Sequence, residues 1–255
     1  MKRFDGILLC SDFDGTLRRS DWTISRKNTD AIEDFVSRGG RFTIVSGRSV
    51  RFINDYTSSL PVNAPIIAAN GSIIADEKTG RILHLVEFDG RIPETLRSLV
   101  AEHREIEQVH IFHGCEMETP WFRKSDVTFE EYLALNSTHI TKVVLVQEEK
   151  AAVALRDEAR KLFGELFRVE RSWPEGLEFL PLAGGKGNAI RLLKSMTGAK
   201  TSVGVGDFEN DVSLLRDADI GIAVGNALPC VKEAADFVTV SCEEDAIAHV
   251  IYDLL

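Results

Sequence analysis

The chain has 255 residues, 44% hydrophobic and 27% charged, the balance of a globular protein long enough for one large domain or two ordinary ones. Its formal net charge of -10, from 40 acidic and 30 basic residues, argues against sequence-independent nucleic-acid binding, which rests on Lys and Arg neutralising phosphates. Cys10, Cys115, Cys230 and Cys242 form no C-x-x-C pair, the apolar run 7–10 is too short for a signal-peptide core, and no stretch approaches the roughly 20 apolar residues of a membrane span, so a cytoplasmic setting without a membrane partner is expected.

Residues 6–11 (GILLCS) read as a short, wholly apolar strand of the kind buried on both faces of a parallel sheet. Residues 28–37 read as a helix with Ala31, Ile32, Phe35 and Val36 on one stripe, ended by Gly39-Gly40. Strands follow at 41–45 and 65–69, an alternation that predicts an α/β fold. From Ile73 the pattern changes: 73–75 and 82–86 flank a turn, 92–103 is helical, and 109–112 is strand-like before a polar, irregular stretch. A strand at 142–146, a helix at 149–163 with Leu155, Ala159 and Leu162 inward, and a strand at 166–169 complete a segment large enough to be a small α+β domain. After 177–180 the parallel pattern resumes, with a helix at 187–196, a strand at 201–205, a helix opening at 212–215 and strands at 220–224 and 237–240. The expected division is 1–82 with 176–255 as one discontinuous domain and 83–175 as an insert.

The first strand runs into Ser11-Asp12-Phe13-Asp14-Gly15-Thr16. Strand alternation points Asp12 and Asp14 the same way at the carboxyl edge of the sheet, where open α/β sheets bind ligands. Two like charges so close call for a cation, for a retained proton, or for both. Gly15 permits a sharp turn, and the Thr16 hydroxyl could orient a carboxylate or a phosphate. Ser46-Gly47-Arg48 ends the second strand, where a hydroxyl and backbone N–H groups can grip phosphoryl oxygens, although alone it reads as a common turn. Lys186 lies among Gly184, Gly185 and Gly187, without the G-x-x-x-x-G-K-[ST] pattern of a P-loop. Gly206-Asp207-Phe208-Glu209-Asn210-Asp211 follows the strand 201–205, and one helical turn returns Asn210 and Asp211 to the side of Asp207. An all-oxygen set of this kind suits Mg2+.

In this order the four motifs resemble those of the haloacid dehalogenase (HAD) superfamily, and A-N-G-S-I-I-A-D at 69–76 and A-V-G-N-A at 223–227 are similar to its Cof-type (IIB) branch. The resemblance covers nearly the whole chain. It implies a Rossmann-like parallel-sheet core with an inserted α+β cap (C2B-type), and a Mg2+-dependent phosphatase acting on a small phosphorylated metabolite, sugar phosphates first. It further implies that Asp12 attacks phosphorus to give an aspartyl-phosphate while Asp14 protonates the leaving oxygen and then activates water. Lys186 would offset the shared negative charge, and Thr16, Ser46, Gly47 and Asn210 would serve phosphate or substrate. Mg2+ would be held by Asp12, the backbone carbonyl of Asp14, Asp207 and, directly or through water, Asp211. A monomer or weak homodimer is expected. The competing readings are a phosphosugar mutase sharing the aspartyl-phosphate step, and a non-catalytic phosphate sensor.

Weaker signals are read conservatively. His110 and His113, three apart in a strand, face opposite ways and are taken as structural. Trp121, Phe122, Arg123 and Lys124 could line a sugar-phosphate pocket or form a solvated edge. Asn70 could meet substrate, but a turn-forming Asn-Gly is the simpler account.

Overall fold

The computed structural model describes residues 2–114, 117, 118, 122, 123 and 128–255. The segment ILLCSD forms β1 (Ile7–Asp12), almost wholly buried, as an apolar strand without alternation must be. Behind it, α1 (Arg26–Ser37) starts at Ser25, whose side chain accepts from the Asn28 N–H, and buries Ala31, Ile32 and Phe35. Then come β2 (Arg41–Val45), α2 (Val50–Thr57), β3 (Ile66–Ala68), β4 (Ile73–Ala75) and β5 (Ile82–Leu85). The sequence reading passed over α2, which Ser49 caps through the Phe52 N–H and which buries Val50, Ile53 and Thr57.

A second group follows: α3 (Ile92–Glu102), β6 (Gln108–His113), β7 (Met117–Glu118), β8 (Phe122–Arg123), α4 (Phe129–Leu135), β9 (Ile140–Val146), α5 (Glu149–Phe163), β10 (Phe167–Trp173) and β11 (Gly176–Pro181). The stretch expected to be irregular contains α4, opened by a reciprocal capping box between Thr128 and Glu131. The chain then forms α6 (Lys186–Thr197), β12 (Thr201–Gly206), α7 (Val212–Asp217), β13 (Ile220–Ala223) and β14 (Phe237–Val238).

Two sheets result. The first has the order β14-β13-β12-β1-β2-β3-β4-β5. Its pairings are parallel from β14 to β3 and antiparallel from β3 to β5. The chain leaves β1 towards β2 on one side and returns as β12 on the other, so the strand order reverses at β1. That reversal opens a crevice at the carboxyl ends of β1 and β12, where α/β sheets take their ligands. The second sheet, β10-β11-β9-β6-β7 with β8 also on β6, is antiparallel throughout.

Each sheet has its own apolar core. Phe4, Phe13, Phe35 and Phe42 belong to the first; Ile92, Leu96, Val143, Phe167 and Phe179 belong to the second. Burying each such side chain contributes roughly 1.5–3 kcal/mol.

Residues 177–180, after which the parallel pattern was expected to resume, lie in β11, antiparallel to β10 and β9, so the second sheet extends to Pro181. At the other end, β5 places residues 82–85 in the first sheet. Leu162 is 59% exposed; α5 buries Ala152, Leu155 and Ala159, and Phe163, one turn beyond Ala159, packs inward in its place. Among the described residues no helix is long and apolar enough to cross a membrane.

Candidate active site

The carboxylates at the crevice come from two strand tips. Asp12 is the last residue of β1, and Asp207 follows β12 directly. Asp211 returns to them through a single short turn, Glu209–Asp211. Its Oδ2 accepts from the backbone N–H groups of Asp207 (3.0 Å) and Phe208 (3.1 Å), which fixes the turn by charge-assisted bonds. The close return needs a residue without a side chain at 206, since a Cβ on Gly206 would collide with Asp211. At Gly15, φ is +80° and an added Cβ would stand 2.7 Å from Asp207 Oδ2, so the turn after Asp14 also requires glycine.

Carboxylate oxygens of Asp12, Asp207 and Asp211 lie within 4.8 Å of one another. Lys186, the first residue of α6 and fully buried, sets its Nζ 2.6 Å from Asp12 Oδ1 and 2.6 Å from Asp211 Oδ1. One cation thus serves two of three acids. Burial and the neighbouring Asp211 push the Asp12 carboxyl well above the ordinary carboxylate range, with Lys186 opposing. Asp207 is pushed up to about 7, again by burial and by Asp211. Burial works to lower Lys186, but Asp12 and Asp211 outweigh it and raise its pKa, so it stays charged. Three carboxylates face one lysine, so ionising all of them leaves negative charge that the lysine does not balance, and the donor set is all oxygen. Both features fit a hard divalent cation such as Mg2+.

The other sequence-predicted residues are placed as follows. Asp14 lies outside the three-carboxylate group; its Oδ1 pairs with Arg18 and its Oδ2 with Arg48 Nε at 3.0 Å. Thr16 donates its hydroxyl to Asp207 Oδ1 at 3.0 Å, so here it orients a carboxylate. Ser46 and Gly47 line a cavity of about 560 Å3 that also reaches Asp12, Asp14, Asp207, Asn210 and Asp211. Ser46 Oγ accepts from the Arg48 N–H at 3.2 Å. Asn210 donates from Nδ2 to Asn70 Oδ1 at 3.0 Å. Asn70 is buried with φ of 52°, so it makes the left-handed turn and also bridges to Asn210. His113 hydrogen-bonds to the Thr138 carbonyl and to Asn136, while His110 lines the cavity, and neither belongs to the carboxylate group. Trp121 and Lys124 lie outside the described residues, as do the side chains of Phe122 and Arg123.

Among the cavity residues not singled out from sequence are four charged ones. Arg18 and Arg48 bracket Asp14; Arg48 stood in the quoted S-G-R, whereas nothing local marks Arg18. Lys142 and Glu178 form a buried ion pair at 3.1 Å, and Lys142 Nζ also donates to the Gly47 carbonyl at 2.7 Å, joining the second sheet to the loop after β2. A lysine within the apolar strand ITKVVLV was the available signal.

Residues 9–251 match the family model described as haloacid dehalogenase-like hydrolase. A Haemophilus influenzae chain carrying a provisional phosphatase name is 28% identical over 94% of this chain and 95% of its own. The Bacillus subtilis 5-amino-6-(5-phospho-D-ribitylamino)uracil phosphatase YcsE is 25% identical over 96% of this chain and 94% of its own. The solved structure of the HAD subclass IIB sugar phosphatase BT4131 superimposes with a TM-score of 0.79 at 20% identity, covering 97% of this chain and 98% of that one.

Proposed function

Because the chain belongs to the haloacid dehalogenase-like hydrolase family, in its Cof-type branch, and is a phosphatase, we propose that it hydrolyses small phosphorylated metabolites through an aspartyl-phosphate on Asp12. The observation that carries this reading is Lys186, buried between Asp12 and Asp211 beside Asp207 at the strand-order reversal, with the cavity above them. In the proposed first step a carboxylate oxygen of Asp12 forms a bond to phosphorus as the ester P–O bond breaks, and Asp14 gives its proton to the leaving oxygen. In the second step Asp14 takes a proton from water, the water oxygen bonds to phosphorus, and Asp12 is released with inorganic phosphate. Lys186 holds Asp12 Oδ1 and balances charge throughout. Ser46, the N–H groups near Gly47, and the second amide N–H of Asn210 are the proposed phosphate contacts, with Thr16 steadying Asp207. Arg18 and Arg48 keep Asp14 in place.

Asp12, Asp207 and Asp211, with the Asp14 carbonyl, are the proposed Mg2+ ligands. When bound, the ion supplies positive charge that offsets the carboxylates and the phosphoryl oxygens.

We assign the second-sheet segment as a cap whose docking keeps water from the reacting groups and whose cavity face contacts the non-reacting part of the substrate. That face includes Phe112, Trp173 and the Lys142–Glu178 pair. Sugar phosphates come first as substrates, and the ribitylamino-uracil phosphate named for the B. subtilis relative belongs in the same panel. A cytoplasmic location and a monomeric or weakly dimeric state are part of the same proposal. The test is phosphate release from this panel with Mg2+ and no bisphosphate activator. Turnover of one or more monophosphates supports hydrolysis; phosphate release from none of them contradicts it.

A further inference from the structure

Of the three residues separating Asp207 from Asp211, Phe208 and Glu209 are held directly by the second-sheet segment, and Asn210 is linked to it through Asn70. Phe208 has the Arg171 guanidinium 5.7 Å from its ring centroid. Glu209 accepts from Arg156 Nη1 at 2.7 Å on both carboxylate oxygens, and from Arg171 Nε at 3.1 Å on Oε1. Asn210 bonds to Asn70, whose Nδ2 in turn donates to Ser172 Oγ at 2.8 Å and to Glu178. Arg156 lies on α5, Arg171 and Ser172 on β10, and Glu178 on β11, so the grip comes from three elements of one unit. The Glu209 clamp is largely withdrawn from solvent, with side-chain exposures of 13% for Glu209, 5% for Arg171 and 17% for Arg156. It is therefore not an exposed pair of negligible strength. Two guanidinium groups on one carboxylate also fix direction, which a single mobile ammonium does not.

We propose that Arg171, Arg156 and Glu209 are positioning residues that couple docking of the second-sheet unit to metal binding. With the unit docked, residues 208–210 are held and the Asp207 and Asp211 carboxylates are set at the spacing the cation needs. With the unit away, the turn between them loses its outer supports, and the cation binds less tightly. The coupling is reciprocal by thermodynamic necessity: a cation that binds the docked form better favours docking. This inference rests on the reading of Asp12, Asp207 and Asp211 as Mg2+ ligands.

A plain charge effect makes a different prediction. If Glu209 mattered only as a nearby negative charge, removing an arginine would leave more negative potential and tighten Mg2+, whereas removing the glutamate charge would weaken it. The clamp requires both changes to weaken it. The experiment is calorimetric titration of phosphate-free, chelator-stripped protein with Mg2+, using wild type, Arg171→Met, Glu209→Gln and Arg171→Lys. The expected result is a Kd about tenfold higher for both Arg171→Met and Glu209→Gln, within the usual range of coupling between sites, and partial recovery in Arg171→Lys. A tighter Kd in Arg171→Met, or wild-type values in both variants, overturns the coupling while leaving the metal site intact. No Mg2+ binding in the wild type overturns the ligand assignment itself. Should Arg171→Met fail to fold, Arg156→Met removes the other half of the clamp and reads the same quantity.

Discussion

Replacing Lys186 by Met removes the only side-chain cation that bonds to Asp12 and Asp211 among the described residues, while keeping most of its buried volume. Both acids are almost wholly buried. Removing one partner of a buried ion pair costs about 3–5 kcal/mol, because the remaining charge is uncompensated. For a chain of this size each kcal/mol corresponds to roughly 2–4 °C, which places the melting temperature of Lys186→Met roughly 6–20 °C below wild type at pH 7.5. The loss shrinks at pH 5, because Asp12 and Asp207, already pushed up by burial and Asp211, can take up protons. Mg2+ recovers part of it at pH 7.5 by supplying the missing positive charge. Turnover falls by about 10²–10³ for every substrate alike, since the lysine serves the phosphoryl end that all share. Thermal melts at both pH values with and without Mg2+, followed by assays on a sugar phosphate and an aryl phosphate, read all of these. A variant as stable as wild type at pH 7.5, or one that loses activity on a single substrate only, would show that Lys186 does not balance these acids for every substrate.

Asp14→Asn keeps the shape of the residue between Arg18 and Arg48 but removes its acid, and should lower kcat by about 10²–10⁴ in steady-state assays. In chelator-treated protein, the raised Asp207 sets a pH dependence. An acid whose folded pKa of about 7 exceeds its ordinary 3.8 binds more protons folded than unfolded between those values, so stability falls as pH rises from about 4 to 7. A gap of about 3 pH units, at 1.36 kcal/mol each, makes this about 4 kcal/mol, read from denaturant midpoints and flattened by Mg2+. Activity should vanish in a strong chelator and return with Mg2+ but not with Ca2+, which is larger and less octahedral; full activity in the chelator counts against the metal assignment.

Sequence carried the catalytic edge because its residues sit at strand tips whose strands are uniformly apolar: β1 leads into Asp12, and β12 leads into Asp207. It carried less of the second sheet. Residues 177–180 look the same whether paired in parallel or antiparallel fashion, and only their register with β10 and β9 decides it. On α5, Leu162 and Phe163 are neighbours, and a stripe one position off exchanges the buried residue for the exposed one. The helix α2 spans only eight residues, barely two turns over which a period could show, so its Ser49 cap was its main local mark. The ion pairs joining the two sheets were not legible at all. Arg171–Glu209 and Arg156–Glu209 join residues 38 and 53 positions apart, and separations of that kind leave no period in the chain.

In the proposed reaction Asp12 carries the phosphoryl group. The most direct measurement is peptide mass spectrometry on protein quenched in acid during turnover of a good substrate with Mg2+. One phosphoryl group is expected on the peptide containing Asp12 and none in Asp12→Asn, which should show essentially no turnover while keeping its fold. Rapid turnover with no phosphoryl group on Asp12 at any quench time, together with an active Asp12→Asn free of wild-type enzyme, would contradict it.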